Sequence, residues 1–157
     1  MRLEQFQLID RVVEFDAGNK SIRCDATVPL KASIFDGHFP GYPLMPGVLL
    51  LESMAQTSGW AILMTLKFER MAFLAAVREA KFRSFVSPGA KLEMSAKIVH
   101  EGSGFAVTEA QGKLDNKPVC DATLMFRVIE FPNPEVRRSM LEFAAAGGLS
   151  VEFADND

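Results

Sequence analysis

Two side chains in this sequence are suited to moving protons near neutral pH. His38 sits in a loop dense in glycine and proline, Gly37-His38-Phe39-Pro40-Gly41-Tyr42-Pro43, and is one of 2 histidines in 157 residues. An imidazole changes protonation close to neutral pH and so serves as a general base. Glu52 interrupts a run that is otherwise mostly apolar from Val48 to Leu66. A carboxyl group in such a place supplies a proton or holds a hydroxyl. The third component is backbone. Met45-Pro46-Gly47 puts proline where a first helical turn tolerates it. The first N–H groups of a helix lack intrahelical partners and carry the positive end of its dipole, so the N–H of Gly47 is a ready donor to a carbonyl oxygen. Glycine there also lets a ligand come close to the backbone.

The element carrying Glu52 reads as a helix from Val48 to about Leu66. Its apolar residues occupy nearly every face, so other structure must wrap it, and Glu52, Gln56 and Gly59 form its one non-apolar stripe. Ahead of it, Phe6 to Phe15 and Ser21 to Val28 flank the turn signal Ala17-Gly18-Asn19 and read as a hairpin. After it, Met71 to Phe82, Lys91 to Glu101, Phe105 to Leu114 and Val119 to Phe131 read as four strands forming a meander. Two strands, one helix and four strands describe an α+β fold in which an antiparallel sheet wraps around one long buried helix. Pro132 and Pro134 stop the last strand, and Glu135 to Ala146 reads as a short helix ending at Gly147-Gly148, with Ser150 to Asp157 expected to fray. Residues 1–131 are thus expected to form the domain and residues 132–157 a C-terminal extension.

Composition narrows the function classes. A net charge of -3 gives no excess of clustered Lys and Arg for a nucleic-acid footprint. The N-terminus has early acids and no apolar core of a signal peptide, and Leu44 to Leu66 is broken by Pro46, Gly47, Glu52, Gln56 and Gly59, so neither export nor membrane insertion is expected. Cys24 and Cys120 lack Cys-x-x-Cys spacing and read as buried free thiols, which suits a cytoplasmic protein. With 2 histidines and 2 scattered cysteines no zinc set is plausible, and no cofactor is expected. His100, beside Glu101 and a glycine-rich turn, reads as a solvated strand-end residue. The 8 methionines read as core filling.

The stretch Gly37 to Gln56, GHFPGYPLMPGVLLLESMAQ, resembles the signature of the bacterial 3-hydroxyacyl-[acyl carrier protein] dehydratases: Gly-His-Phe-Pro-Gly-x-Pro, then a Pro-Gly-Val helix start, then Glu-x-Met-Ala-Gln. Leu8 to Val12, Glu79 to Arg83, Val86 to Gly89 and Cys120 to Ala122 extend the likeness over about residues 7 to 130. The resemblance implies a hotdog fold and dehydration of a (3R)-3-hydroxyacyl thioester to the trans-2-enoyl thioester in fatty-acid or lipid A acyl-chain synthesis. The acyl chain is then carried on the phosphopantetheine of an acyl carrier protein. It further implies that His38 and Glu52 are catalytic, that Gly47 binds the thioester carbonyl and that Gln56 orients the carboxyl group. A cis peptide joining His38 to Phe39 and a homodimer, alone or as a trimer of dimers, with His38 of one subunit facing Glu52 of the other, also belong to that picture.

An acyl tunnel between helix and sheet is expected to use Val48, Leu51, Ala55, Phe73, Phe82 and Phe85 as apolar walls. Arg78, Lys81 and Arg83 resemble a basic rim that meets an acidic carrier protein, and read equally well as a solvated strand face. Family members usually start with a longer segment containing Leu-Pro-His-Arg-Tyr-Pro. Its lack here, the Gly41-Tyr42-Pro43 variant and the tail after Phe131 resemble a divergent branch linked to very long acyl groups of lipid A. Without that segment, and with small Ala55 and Gly59 on the helix, the tunnel is expected to stay open at its far end and accept about fourteen carbons or more. Two rivals stand beside dehydration: a hotdog thioesterase, because this fold also hosts hydrolysis, and a non-catalytic acyl-carrier-binding subunit.

Overall fold

A computed structural model describes residues 1–146. The expected helix end at Gly147-Gly148 and the tail Ser150 to Asp157 lie outside the described residues. The chain begins with a 3-10 turn, Leu3–Gln5, and then forms β1 (Arg11–Asp16) and β2 (Ser21–Thr27). A one-turn helix α1 (Ile34–Gly37) precedes the long helix α2 (Gly47–Thr65). Strands β3 (Met71–Phe82), β4 (Lys91–Gly102), β5 (Phe105–Leu114) and β6 (Lys117–Ile129) follow, and α3 (Pro134–Ala146) closes the described chain.

All six strands join one antiparallel sheet in the order β1-β2-β4-β5-β6-β3. The expected meander therefore holds for β4 to β6 only. β3 pairs with β6 instead of β4, and β2 is the strand beside β4. Leaving the chain as α2 ends, β3 starts on the far side of the sheet, which a single passage of α2 across the sheet permits and local sequence signals do not reveal. Short turns fix the rest. Asp115 and Asn116 both take positive φ, as the two-residue hairpin joining β5 and β6 requires.

Strands β2, β4, β5 and β6 bury alternate residues against α2: Cys24 and Ala26, Met94 and Ala96, Ala106 and Thr108, Leu124 and Phe126. From the helix, Leu50, Met54, Ala61 and Ile62 meet them. Each such large aliphatic side chain contributes about 1.5–3 kcal/mol by leaving water. The helix is wrapped as its all-round apolarity requires, and this is the hotdog arrangement. Three polar residues on its buried side are bonded: Ser53 Oγ donates to Leu8 O (3.1 Å), Thr57 Oγ1 donates to Ser53 O (2.8 Å), and Ser58 Oγ accepts from Thr108 Oγ1 (2.8 Å), whereas Thr65 Oγ1 is buried with no partner among the described residues. Among the described residues, no helix is long and apolar enough to cross a membrane.

The two thiols are free and buried, as expected. Burial pushes Cys24 up to about 12 and Cys120 up to about 11. A pKa raised on folding means that the neutral thiol favours the fold. This contribution is complete below the ordinary thiol range near about 8.5 and is lost as pH climbs toward the folded values. At pH 8 the folded chain should react with Ellman's reagent at least about a hundredfold more slowly than the urea-unfolded chain, because only thiolate reacts. Equal rates would mean that β2 and β6 open readily.

Candidate active site

The loop bearing His38 is held by its own backbone. His38 N–H donates to Ile34 O (3.1 Å), making His38 the C-cap of α1, and Leu44 N–H donates back to His38 O (2.9 Å). Pro40 and Gly41 occupy the centre of a turn closed by Tyr42 N–H to Phe39 O (2.9 Å), and Gly41 takes φ +74°, which only glycine adopts without strain. Met45 N–H then donates to Val86 O (2.8 Å), anchoring the loop's exit just before α2 begins. The His38–Phe39 peptide bond is cis, and the two rings stack at 4.2 Å.

His38 Nδ1 lies 2.9 Å from Leu44 O. A carbonyl oxygen only accepts, so Nδ1 is the donor, and the neutral ring keeps its lone pair on Nε2. The fold thus selects the tautomer in which Nε2 is the free basic atom. Gly47, the first residue of α2, follows an N-cap Pro46 with ψ 136°. A Cβ on Gly47 would rest 3.4 Å from the Phe82 ring, so Phe82 of β3 packs directly over the helix start.

Glu52 lies one and a half turns further along α2 and is half-buried. Its Oε1 accepts from Gln56 Nε2 at 3.2 Å. Gln56 is itself fixed at both ends, since Nε2 also donates to Phe6 O (2.8 Å) and Oε1 accepts from Leu8 N–H (2.9 Å). These bonds explain why β1 starts at Arg11 and not at Phe6 as expected: the backbone from Phe6 to Leu8 pairs with a helix side chain in place of a strand. The same contacts press residues 5–7 against the helix beside Glu52.

Glu52, Ala55, Gln56, Gly59, Trp60 and Leu63 line one side of a cavity of about 550 Å³, a size that suits a small-molecule ligand. Across it stand Ala72 and Leu74 of β3, Phe126 of β6, and Met140 and Phe143 of α3. Of the six expected tunnel walls, only Ala55 lines this cavity. Phe73 is a correction: it pairs with Arg127 on the outer face of the sheet, and its neighbours Ala72 and Leu74 point inward. Val48 and Phe85 are exposed in the single chain (71% and 75%), Leu51 packs at the core's edge, and Phe82 covers Gly47. Gln5 to Gln7 and α3 also border the cavity. Spacing held a usable signal for the missed helix positions: Trp60 and Leu63 extend the Glu52-Gln56-Gly59 stripe at helical intervals.

His38 and Gly47 do not border this cavity, so one chain brings Glu52 and Gln56 together in the cavity wall and leaves His38 elsewhere. β3 is an edge strand, paired only with β6, and exposes Phe73, Leu74 and Val77 (about 40% each). The basic trio meets the outer face. A bulge at Glu79, φ +51°, sets Arg78 opposite Thr123 and Lys81 opposite Asp121, and Arg83 Nε donates to Asp121 Oδ2 at 2.6 Å. Among the described residues no cluster of three or more His, Cys, Asp or Glu side chains is placed to hold a metal.

Residues 2–123 match the FabA-like domain. The chain belongs to this family. This FabA-like chain is 39% identical over 121 residues to the 3-hydroxyacyl-[acyl-carrier-protein] dehydratase FabZ of Levilactobacillus brevis, which covers 76% of the chain and 81% of that relative. Its fold is shared with the conserved protein PA5202 of Pseudomonas aeruginosa, at a TM-score of 0.64 and 19% identity over 82% of the chain and 94% of that protein. It is shared also with thioesterase HI1161 of Haemophilus influenzae, at a TM-score of 0.60 and 13% identity over 78% of the chain and 80% of that protein. Identities this low speak for the hotdog fold alone.

Proposed function

We infer that this FabA-like chain dehydrates (3R)-3-hydroxyacyl groups, carried as thioesters on an acyl carrier protein, to trans-2-enoyl groups. One observation carries the reading: a histidine whose free nitrogen is Nε2, a helix-start glycine and a cavity-lining glutamate recur here at the spacing of the FabZ signature, in a chain 39% identical to a FabZ dehydratase. His38 Nε2 takes the proton from C2. As the C3–O bond breaks, the Glu52 carboxyl group protonates the departing hydroxyl, which leaves as water, and a C2–C3 double bond forms. The N–H of Gly47 holds the thioester oxygen while charge gathers on it.

The two halves of this site come from two chains. His38 lies away from the cavity that Glu52 lines, and β3 offers an apolar edge with free backbone groups. Pairing two β3 edges about a two-fold axis covers that edge and sets His38 of one subunit against Glu52 of the other. Arg78, Lys81 and Arg83, gathered on the outer face of β3, give the acidic carrier protein a basic surface, with Asp121 already neutralising part of Arg83.

The purified protein should convert a (3R)-3-hydroxyacyl carrier thioester with a rise in enoyl absorbance and no release of free thiol. A saturated acyl thioester should remain intact. Thiol release from either substrate without enoyl product would make the chain a hydrolase. Neither signal would leave a carrier-binding subunit.

A further inference from the structure

We propose that Met140 and Phe143 of α3 form the far wall of the acyl cavity and set the longest chain that it accepts. The inference rests on the reading of that cavity as the acyl site. Glu52 and Leu63 stand eleven residues apart on one side of α2, so the cavity's helical wall is about 16 Å long at 1.5 Å per residue, with the carboxylate at one end. Trp60 stands about 12 Å along from Glu52, and Phe143 lies flat on it, ring centres 5.3 Å apart and planes inclined by 15°. An acyl chain that starts at the carboxylate therefore runs toward the Trp60–Phe143 stack.

The attachment of α3 is local and specific. Pro134 opens the helix, and Val136 N–H is capped by Asn133 Oδ1 at 2.9 Å. Arg137 Nε donates to Phe68 O (2.8 Å), on the turn that follows α2, and Ala144 is buried. Phe143 remains 37% exposed while its inner face covers Trp60, which is only 7% exposed. Removing the Phe143 ring uncovers Trp60 and lengthens the cavity at the end remote from the carboxylate. Met140, unbranched and beside it, fills irregular space and yields where a larger side chain would not. The chemistry at His38, Gly47 and Glu52 is untouched by either change.

The test uses the full-length protein and the variants Phe143→Ala, Met140→Ala and Phe143→Trp, each checked by circular dichroism. Trp60 is the only tryptophan of the native sequence, and its fluorescence reports binding without any reaction. Saturated acyl-pantetheine thioesters of graded length are titrated into each protein, and kcat/KM is measured for the matching (3R)-3-hydroxyacyl carrier substrates. Each methylene that finds apolar cover improves binding about threefold to fourfold until the wall is met. The alanine variants should move this break to longer chains and raise the long-to-short preference at least about tenfold. Phe143→Trp should move the break to shorter chains, read by turnover because it adds a second fluorophore. A break at the same length in all three variants would overturn the proposal. Binding profiles that shift while no enoyl product forms in any protein, native included, would instead overturn dehydration and leave the wall in place.

Discussion

Replacement of His38 by Ala, or of Glu52 by Gln, is expected to lower kcat/KM on a (3R)-3-hydroxyacyl carrier thioester by at least about a hundredfold with the fold intact. The histidine change should cost more. His38 must take a carbon-bound proton, for which a passing water is a poor substitute, whereas water can partly replace the proton donor at the hydroxyl. Neither substitution disturbs the core, since both side chains are half-buried and their backbone bonds are independent of them. The two inactive chains also test where the site lies. Unfolded together in equal amounts and refolded, they form mixed dimers with one site holding both defects and one holding neither. Random pairing makes half of the dimers mixed, so about a quarter of native activity should return. If heterodimers form and activity does not return, the site lies within one chain; a protein that stays monomeric at micromolar concentration fails the arrangement before any assay.

How much of this was legible in the sequence depends on how local the cause is. Pro46-Gly47 announces the start of α2 because helix starts obey nearest-neighbour rules, and the observed helix begins at Gly47. The apolar circumference of that helix implies a sheet around it. The pairing of β3 with β6 was not legible, because it depends on where a nineteen-residue helix delivers the chain. Phe73 shows the smaller failure. Size and hydrophobicity marked it as a tunnel wall, but strand parity against Arg127 turns it outward and gives the place to Ala72 and Leu74. Arg78 and Lys81 show the converse: strict alternation would put them on opposite faces, and the left-handed Glu79 restores them to one.

The site follows the same division. His38, Gly47, Glu52 and Gln56 form a spaced motif, so the resemblance points to all four. The tautomer of His38 needs Leu44 O, six residues away on a loop whose course depends on Gly41 and on Val86. The resemblance gives Gln56 the Glu52 carboxyl group alone, yet it holds residues 6 and 8 as well. That second duty is long-range and leaves no trace in a local pattern. The sequence after Phe131 signals a short helix and no more, and only the contact of that helix with Trp60 reveals that it borders the cavity.

Gly47→Pro is expected to reduce kcat on the same substrate by about a hundredfold to a thousandfold, the usual effect of removing one oxyanion donor. The substitution deletes the N–H and little else. Gly47 is the first helical residue, where proline's missing donor has no intrahelical bond to break. Pro46 already has ψ 136°, within the range that a following proline demands. The melting temperature should therefore stay within a few degrees of the native value. Gly47→Ala supplies the matched control: it keeps the N–H, and its Cβ would meet the Phe82 ring at 3.4 Å, an ordinary contact. Its kcat should fall less than about tenfold, with any larger change confined to KM as the approach to the backbone narrows. Should the proline variant melt normally and retain near-native kcat, the thioester oxygen is stabilised by some group other than this amide. A loss shared equally by Pro and Ala would point instead to crowding against Phe82, because the alanine variant still carries the donor.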